Sequence, residues 1–214
     1  MTDLFTHPLA PPRSDLAPGV VLLRGHASAQ GARLVERIGN LVEQSPLRHM
    51  ETPGGRRMGV AMANCGRLGW VSDRNGYRYS PTDPERGSAW PELPAEFAAL
   101  ARGAATVAGF ADFAPDACLI NAYVPGARLS LHQDRDERDF AHPIVSVSLG
   151  LDATFLLGGD RRSDAVHRLA LAHGDVLVWG GPARLRYHGI APLKEGVHPL
   201  TGRLRYNLTF RRAG

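Results

Sequence analysis

The sequence predicts an α+β domain with a β-sandwich or barrel-like core, on three observations. Two stretches with apolar residues at helical spacing lie between positions 29 and 108. From Cys118 onward the texture changes to short apolar runs broken by Gly, Pro or Asp about every eight to twelve residues. The chain has 214 residues, 43% hydrophobic and 21% charged, which is enough for one core without disulfide or metal staples.

The elements follow in order. Residues 1–19 carry Pro8, Pro11, Pro12 and Pro18 and are expected to form a flexible arm. Residues 20–214 are then one domain, opening on a short strand from Val20 to Leu23. From Ala29 to Glu43, Leu34, Val35, Ile38, Leu41 and Val42 fall on one helical face, and Pro46 ends that helix. Residues 47–92 are rich in Gly, Pro, Arg, Tyr and Trp with little regular period, a length more typical of a functional segment than of a connector. A second helix is expected from Pro94 to Ala108, with Phe97, Leu100, Ala101, Ala104 and Val107 on one face and Gly109 as its stop. Strands then follow at Cys118 to Tyr123, Ile144 to Leu149, Ala153 to Leu157, Arg168 to Ala172, Val176 to Trp179, Tyr187 to Ile190 and Leu204 to Arg211. Gly150-Leu151-Asp152 is expected to close a hairpin, and His173-Gly174-Asp175 another turn.

Composition narrows the function. Of 25 basic residues all but Lys194 are arginine, and Lys194 lies in Pro192-Leu193-Lys194-Glu195-Gly196, which is no phosphate-binding Gly-Lys-Ser/Thr loop. No G-x-S-x-G nucleophile elbow occurs. Cys65 and Cys118 are too few and too far apart for a zinc finger or a CxxC motif. No window approaches the roughly 18 consecutive apolar residues of a membrane span, and Met1-Thr2-Asp3-Leu4-Phe5 is no signal peptide, so a cytoplasmic protein is expected. A net charge of +4, nearly all from arginine, suits a phosphate-rich partner; arginine-biased codon usage explains it equally well.

His132-Gln133-Asp134 follows an apparent strand, and alternation along extended chain turns residues i and i+2 to the same side. With His188 this makes two histidines and one carboxylate, the facial triad of non-haem Fe(II) oxygenases. By itself the motif is weak: about 0.5 H-x-D matches are expected by chance, and a second, His173-Gly174-Asp175, is better explained as a turn. The C-terminal strand adds context. Alternation places Arg205, Asn207, Thr209 and Arg211 on one face and Tyr206, Leu208 and Phe210 on the other. An inward row with two guanidinium groups needs anionic partners, and a small dicarboxylate between them supplies these, with Asn121 and Tyr123 adding hydrogen bonds. A solvent-facing edge strand with harmless arginines is the alternative.

Several segments carry a resemblance to the AlkB family: Pro115-Asp116-Ala117-Cys118-Leu119-Ile120-Asn121-Ala122-Tyr123, Leu129-Ser130-Leu131-His132-Gln133-Asp134, Pro143-Ile144-Val145-Ser146-Val147-Ser148-Leu149-Gly150, His173-Gly174-Asp175-Val176, Trp179-Gly180-Gly181, Tyr187-His188-Gly189-Ile190 and the strand from Arg205 to Arg211. Thr52-Pro53-Gly54-Gly55 and Asn64-Cys65-Gly66-Arg67-Leu68-Gly69-Trp70 extend it over nearly the whole chain. The resemblance implies an Fe(II)- and 2-oxoglutarate-dependent dioxygenase, with O2 as second cosubstrate, that demethylates N-alkylated bases in single- and double-stranded DNA and in RNA. It implies a double-stranded β-helix, or jelly roll, with its core at about 118–214, a nucleotide-recognition lid at about 47–92, and a monomer.

Residue by residue, His132, Asp134 and His188 match the catalytic iron ligands, and Arg205, Arg211, Asn121, Tyr123 and Asn207 match positions that hold 2-oxoglutarate. Trp70 matches the aromatic that stacks on the damaged base, with His132 on its other face; Asp136, Glu137 and Arg162 match base-reading positions, and Thr52, Met62 and Tyr77 the pocket and backbone contacts. The lid departs from the family pattern at Arg56-Arg57, where an aromatic and a small polar residue are expected, and at Gly59, which replaces a serine. Two other classes stay open on the residues alone. One is a β-sandwich nucleic-acid binder with a vestigial metal, the other an oxygenase acting on protein or a free metabolite.

Overall fold

Alternating side chains divide the apolar residues of the central strands between two cores. Val21, Leu23, Val176, Val178, Ile120, Leu208 and Phe210 enter one; Val20, Leu22, Leu177, Trp179, Leu119 and Tyr123 enter the other. A strand covered on both faces is apolar throughout, which is why these runs are legible as strands but not as amphipathic ones. The computed structural model describes residues 12–214. Strands β1 (Arg13–Ala17) and β2 (Val20–Leu23) precede helix α1 (Gly31–Gln44); β3 (Ala61–Gly66), β4 (Gly69–Asp73) and β5 (Gly76–Ser80) lead to helix α2 (Ala95–Val107). Then come β6 (Ala117–Tyr123), β7 (Leu129–His132), β8 (Ile144–Gly150), β9 (Ala153–Leu157), β10 (His167–Leu171), β11 (Val176–Trp179), β12 (His188–Ile190) and β13 (Arg205–Arg211).

Seven strands form one sheet in the order β1-β2-β11-β8-β13-β6-β3, four form a second in the order β10-β9-β12-β7, and β4 and β5 form a separate hairpin. All pairings between these strands are antiparallel. The two helices cover the outer face of the large sheet: Leu34, Ile38 and Leu41 of α1 and Phe97, Leu100, Ala101 and Ala104 of α2 share a core with Leu208 and Phe210. Phe97 meets Phe210 edge to face at 6.1 Å. The second core, with Met62, Ile144, Phe155, Leu157 and Ile190, fills the space between the sheets. This is the jelly roll that the resemblance implies.

Four expectations need correction. Gly150-Leu151-Asp152 does not close a hairpin, because β8 pairs with β11 and β13 while β9 pairs with β10 and β12. The turn carries the chain from one sheet to the other. Gly150 has φ +88, and a Cβ there would collide with Thr201 and the carbonyl of Leu204. Second, the expected arm contains β1, which pairs with β2 through the Pro18-Gly19 turn; residues 1–11 lie outside the described residues. Third, the irregular stretch contains β3, which edges the large sheet beside β6, and the β4–β5 hairpin. Fourth, Val107 is exposed at the end of α2. No helix among the described residues is long and apolar enough to cross a membrane.

Candidate active site

The small sheet brings the two histidines together. His132 ends β7 and His188 begins β12, and the ladder between these strands places them directly opposite each other. Their rings lie 4.4 Å apart. Asp134, two residues beyond β7, turns its carboxylate between them: Oδ1 is 3.5 Å from His132 Nε2 and Oδ2 is 3.7 Å from His188 Nε2. One ligand atom from each of the three lies within 4.8 Å of the others. The Nδ1 of His132 faces the carbonyl of Ser130 at 2.9 Å, and the Nδ1 of His188 that of Arg186 at 3.0 Å. A ring whose Nδ1–H donates to a carbonyl keeps a lone pair on Nε2, the tautomer a metal needs.

The charges agree with that use. Burial foremost, with His132 beside it, pushes His188 down to about 4, so its ring is neutral near pH 7. Burial also works against the charged form of His132, but Asp134 outweighs it and the ring titrates above its ordinary value. Burial would raise Asp134; Arg211, then His188 and His132, hold it well below the ordinary carboxylate range. A neutral imidazole, a basic one and a fixed carboxylate fit a divalent metal.

Arg205 is fully buried and makes one hydrogen bond, from Nη2 to Ser148 Oγ at 3.1 Å. Its Nε and Nη1 have no partner, and the guanidinium lies 5.1 Å over the Tyr123 ring. Burial lowers its pKa. A buried cation with two unmet donors is costly unless an anion arrives, so the site fits a carboxylate ligand. Asn121 on β6 donates to Asn207 Oδ1 at 3.2 Å and leaves its own Oδ1 unpartnered. Asn207 is oriented by Ser146 Oγ at 2.8 Å.

Arg211 behaves differently from the expectation that a dicarboxylate alone satisfies both arginines. It already has protein anions: Nε and Nη2 donate to Asp134 Oδ2 at 2.9 and 2.5 Å, and Nε is 3.1 Å from Glu137 Oε1. Glu137 also departs from the base-reading role that the resemblance implies. It is buried, accepts from Tyr79 OH at 3.1 Å, and faces Arg184 Nη2 at 3.1 Å. Its carboxylate is taken up inside the protein, which leaves Asp136 as the carboxylate beside Trp70.

One cavity of about 770 Å³ joins these groups to residues of the 47–92 stretch. It is lined by the triad, Met62, Asn121, Tyr123, Asn207 and Arg211 on the inner side, and by Thr52, Trp70, Tyr77, Asp136 and Arg162 toward the mouth. Trp70 and Tyr77 stack at 5.7 Å and 11°. Asn64 fixes the Trp70 backbone by accepting from its N–H at 3.0 Å and donating to its carbonyl at 2.9 Å. Met62 is buried on β3, Tyr77 is exposed, and Arg162 lies exposed in the loop between β9 and β10. Of the expected site residues only Arg205 is absent from the lining; it lies behind Tyr123. Sequence reasoning missed Tyr79 and Arg184. Tyr79 could have been found, since it shares a strand face with Tyr77 two residues away. Arg184 had no local signal.

The fold and the site define a 2-oxoglutarate- and Fe(II)-dependent oxygenase. The family model described as the 2OG-Fe(II) oxygenase superfamily matches residues 19–211, and the chain belongs to that superfamily. Within it the chain falls among the AlkB dioxygenases, being 58% identical over 213 residues to the alpha-ketoglutarate-dependent dioxygenase AlkB of Salmonella typhimurium, covering all of this chain and 98% of that one. It is 32% identical to the DNA N(6)-methyladenine demethylase ALKBH1C of Arabidopsis thaliana, over 92% of this chain and 49% of that one. The solved structure of OsALKBH1 superposes with a TM-score of 0.81 at 30% identity, covering 94% and 99% of the two chains. The protein is an Fe(II)- and 2-oxoglutarate-dependent dioxygenase, using O2 as the family does.

Proposed function

We propose that the protein demethylates N-alkylated bases, 1-methyladenine and 3-methylcytosine, in single- and double-stranded DNA and in RNA, acting as a monomer. The observation that carries this reading is the make-up of the cavity. Its inner side holds the triad, and its mouth carries Trp70, Tyr77 and Asp136 together with Arg56, Arg57, Arg128, Arg135 and Arg162. Flat aromatics suit a base and arginines suit the phosphates on either side of it. The activity in the name of the Arabidopsis relative supports the same substrate class.

In this reading His132, Asp134 and His188 hold Fe(II). Arg205 receives the distal carboxylate of 2-oxoglutarate, Arg211 stands by its metal-side end, and Asn121, Tyr123 and Asn207 complete the cradle. When bound, Fe(II) and 2-oxoglutarate would with O2 supply the chemistry that hydroxylates the methyl carbon, one oxygen atom going to it and the other to succinate as CO2 is released. The resulting N-hydroxymethyl group gives up its hydroxyl proton to water as its C–N bond breaks, so that formaldehyde leaves and the ring nitrogen keeps the bonding pair. Residues 47–92, apart from the core strand β3, serve as a lid. One face of Trp70 is taken by Tyr77, so the base occupies the other, toward His132. Thr52, Met62 and Tyr77 form the pocket and contact the backbone, and Asp136 and Arg162 read the base, Asp136 at its exocyclic amino group. A base in a duplex must first leave the stack, so single strands compete well as substrates.

The test is an anaerobic Fe(II) and 2-oxoglutarate titration followed by air and mass spectrometry of a methylated oligonucleotide. A loss of one methyl mass, dependent on both additions and abolished in His132→Ala, is expected. An unchanged oligonucleotide mass beside normal succinate formation overturns the substrate assignment.

A further inference from the structure

We infer that Arg184 is a positioning residue for the metal-binding carboxylate Asp134, acting on its backbone and, through Glu137, on its side chain. The inference rests on the reading of His132, Asp134 and His188 as the metal site.

Asp134 lies in the segment that joins β7 to β8, which between 133 and 143 carries neither strand nor helix. A ligand on such a segment needs to be fixed from outside its own backbone ladder. Arg184, just after the 3-10 turn Gly181–Ala183, does this from a buried position. Its Nη1 donates to the carbonyl of Asp134 at 2.8 Å, and its Nε to the carbonyl of His142 at 3.1 Å. Its Nη2 is 3.1 Å from Glu137 Oε2. The guanidinium also stacks 5.3 Å over the Phe140 ring. One side chain thus holds the beginning, middle and end of the segment, a task for which the planar five-donor fork is suited and an ammonium is not.

The second route is electrostatic. Two carboxylates, Asp134 and Glu137, alternate with two guanidinium groups, Arg211 and Arg184, and Arg211 touches both acids. With Arg184 in place, Glu137 divides its charge between two cations and Arg211 remains on Asp134. Without it, Glu137 is a buried anion with Arg211 as its one cation and competes with Asp134 for that group. Asp134 then loses its backbone anchor and its side-chain partner together.

The experiment is an anaerobic Co(II) titration of the full chain, followed by ligand-field absorption, for the wild type, R184K, R184M and His132→Ala. R184M is expected to raise the Co(II) dissociation constant by about 10- to 100-fold and to alter the ligand-field bands, as loss of a group supporting a metal ligand does. R184K, which reaches one of the three acceptors, is expected to lie between. A folded R184K with wild-type affinity and wild-type bands overturns the inference, even if its melting temperature falls, because a merely structural ion pair moves stability alone. If the methionine variant does not fold, R184K decides. Absence of Co(II) binding in the wild type, or wild-type binding in His132→Ala, overturns the metal-site reading itself, a result distinct from equal binding by R184K and wild type.

Discussion

Trp70 donates its indole N–H to Asp136 Oδ2 at 2.8 Å, so the aromatic face offered to a base and the carboxylate beside it are set by one hydrogen bond. On the proposed reading the pair should select for charge. The lesions 1-methyladenine and 3-methylcytosine are cationic near neutral pH, and a cation over an indole gains about 0.5–2 kcal/mol that a neutral base lacks.

Catalytic efficiency is therefore expected to be higher on 1-methyladenine and 3-methylcytosine than on 1-methylguanine and 3-methylthymine. The neutral lesions set a carbonyl against the carboxylate of Asp136, and a mismatched buried acceptor costs about 1–3 kcal/mol. Asp136→Ala should narrow the preference. Matched oligonucleotides with all four lesions measure it; equal wild-type efficiencies would remove charge selection. A preference unchanged by the substitution assigns the effect to Trp70.

Arg205→Ala should raise the KM for 2-oxoglutarate by about two to three orders of magnitude, since a buried charge-assisted pair contributes a few kcal/mol. Oligonucleotide affinity should change far less, because Arg205 lies behind Tyr123 and outside the cavity lining. An unaltered KM would separate Arg205 from the cosubstrate.

Arg56 and Arg57 at the cavity mouth should contribute to binding through phosphate alone. Replacing both by alanine is expected to weaken single-stranded oligonucleotide binding at low salt and to flatten the plot of log affinity against log salt, by about 0.7 for each phosphate no longer neutralised. Lesion preference should stay as it was. A salt slope equal to that of the wild type would show that neither arginine meets the backbone.

His173 gives a pH dependence of stability distant from the triad. Its Nδ1 accepts the N–H of Gly150 at 3.0 Å, and its ring stacks on His198 at 4.6 Å. Burial, then the charge of His198, lowers its pKa. The unfolded chain therefore takes up a proton at about pH 6.5 that the folded chain resists. The stabilisation is complete above that pH and is lost as pH falls toward the folded value. Melting temperatures across about pH 5 to 8 should fall more steeply on the acid side for the wild type than for His173→Gln, which keeps an acceptor and cannot titrate. His188, also lowered, contributes equally to both proteins and cancels in the comparison. Parallel curves would show that His173 carries none of the dependence.

What the sequence discloses depends on how far apart the interacting groups lie. The strand at Val20 to Leu23, the seven strands named from Cys118 onward and both helices are legible because periodicity and turn residues are local properties. β1 is not, since an edge strand of Arg13, Ser14 and Asp15 has little apolar pattern, although Pro18-Gly19 marks its turn. The misassigned hairpin at Gly150 shows the limit of turn chemistry: it specifies a change of direction without naming the sheet that receives the next strand. In the site, the polar row of β13 is legible from alternation alone. Alternation does not reach Asp136 and Glu137, which lie in the irregular segment after β7, where Glu137 meets Arg184 and Arg211 and Asp136 meets Trp70. Arg184 is invisible in the sequence because it lies 50 positions from Asp134, whose carbonyl it holds.

The two sheets divide the labour of the site. His132 and His188 ride on the smaller one, while Asn121, Tyr123, Arg205 and Asn207 ride on the larger. On the proposed reading, the gap between the metal ligands and the residues that would hold the cosubstrate is therefore a gauge of how tightly the sandwich is closed. Residues such as Leu22, Ile144 and Leu171, buried between the layers and touching no reactant, act as its shims. Thinning one of them should loosen the alignment across that gap before it unfolds anything, so in such a variant warming is expected to extinguish turnover at a lower temperature than it melts the chain.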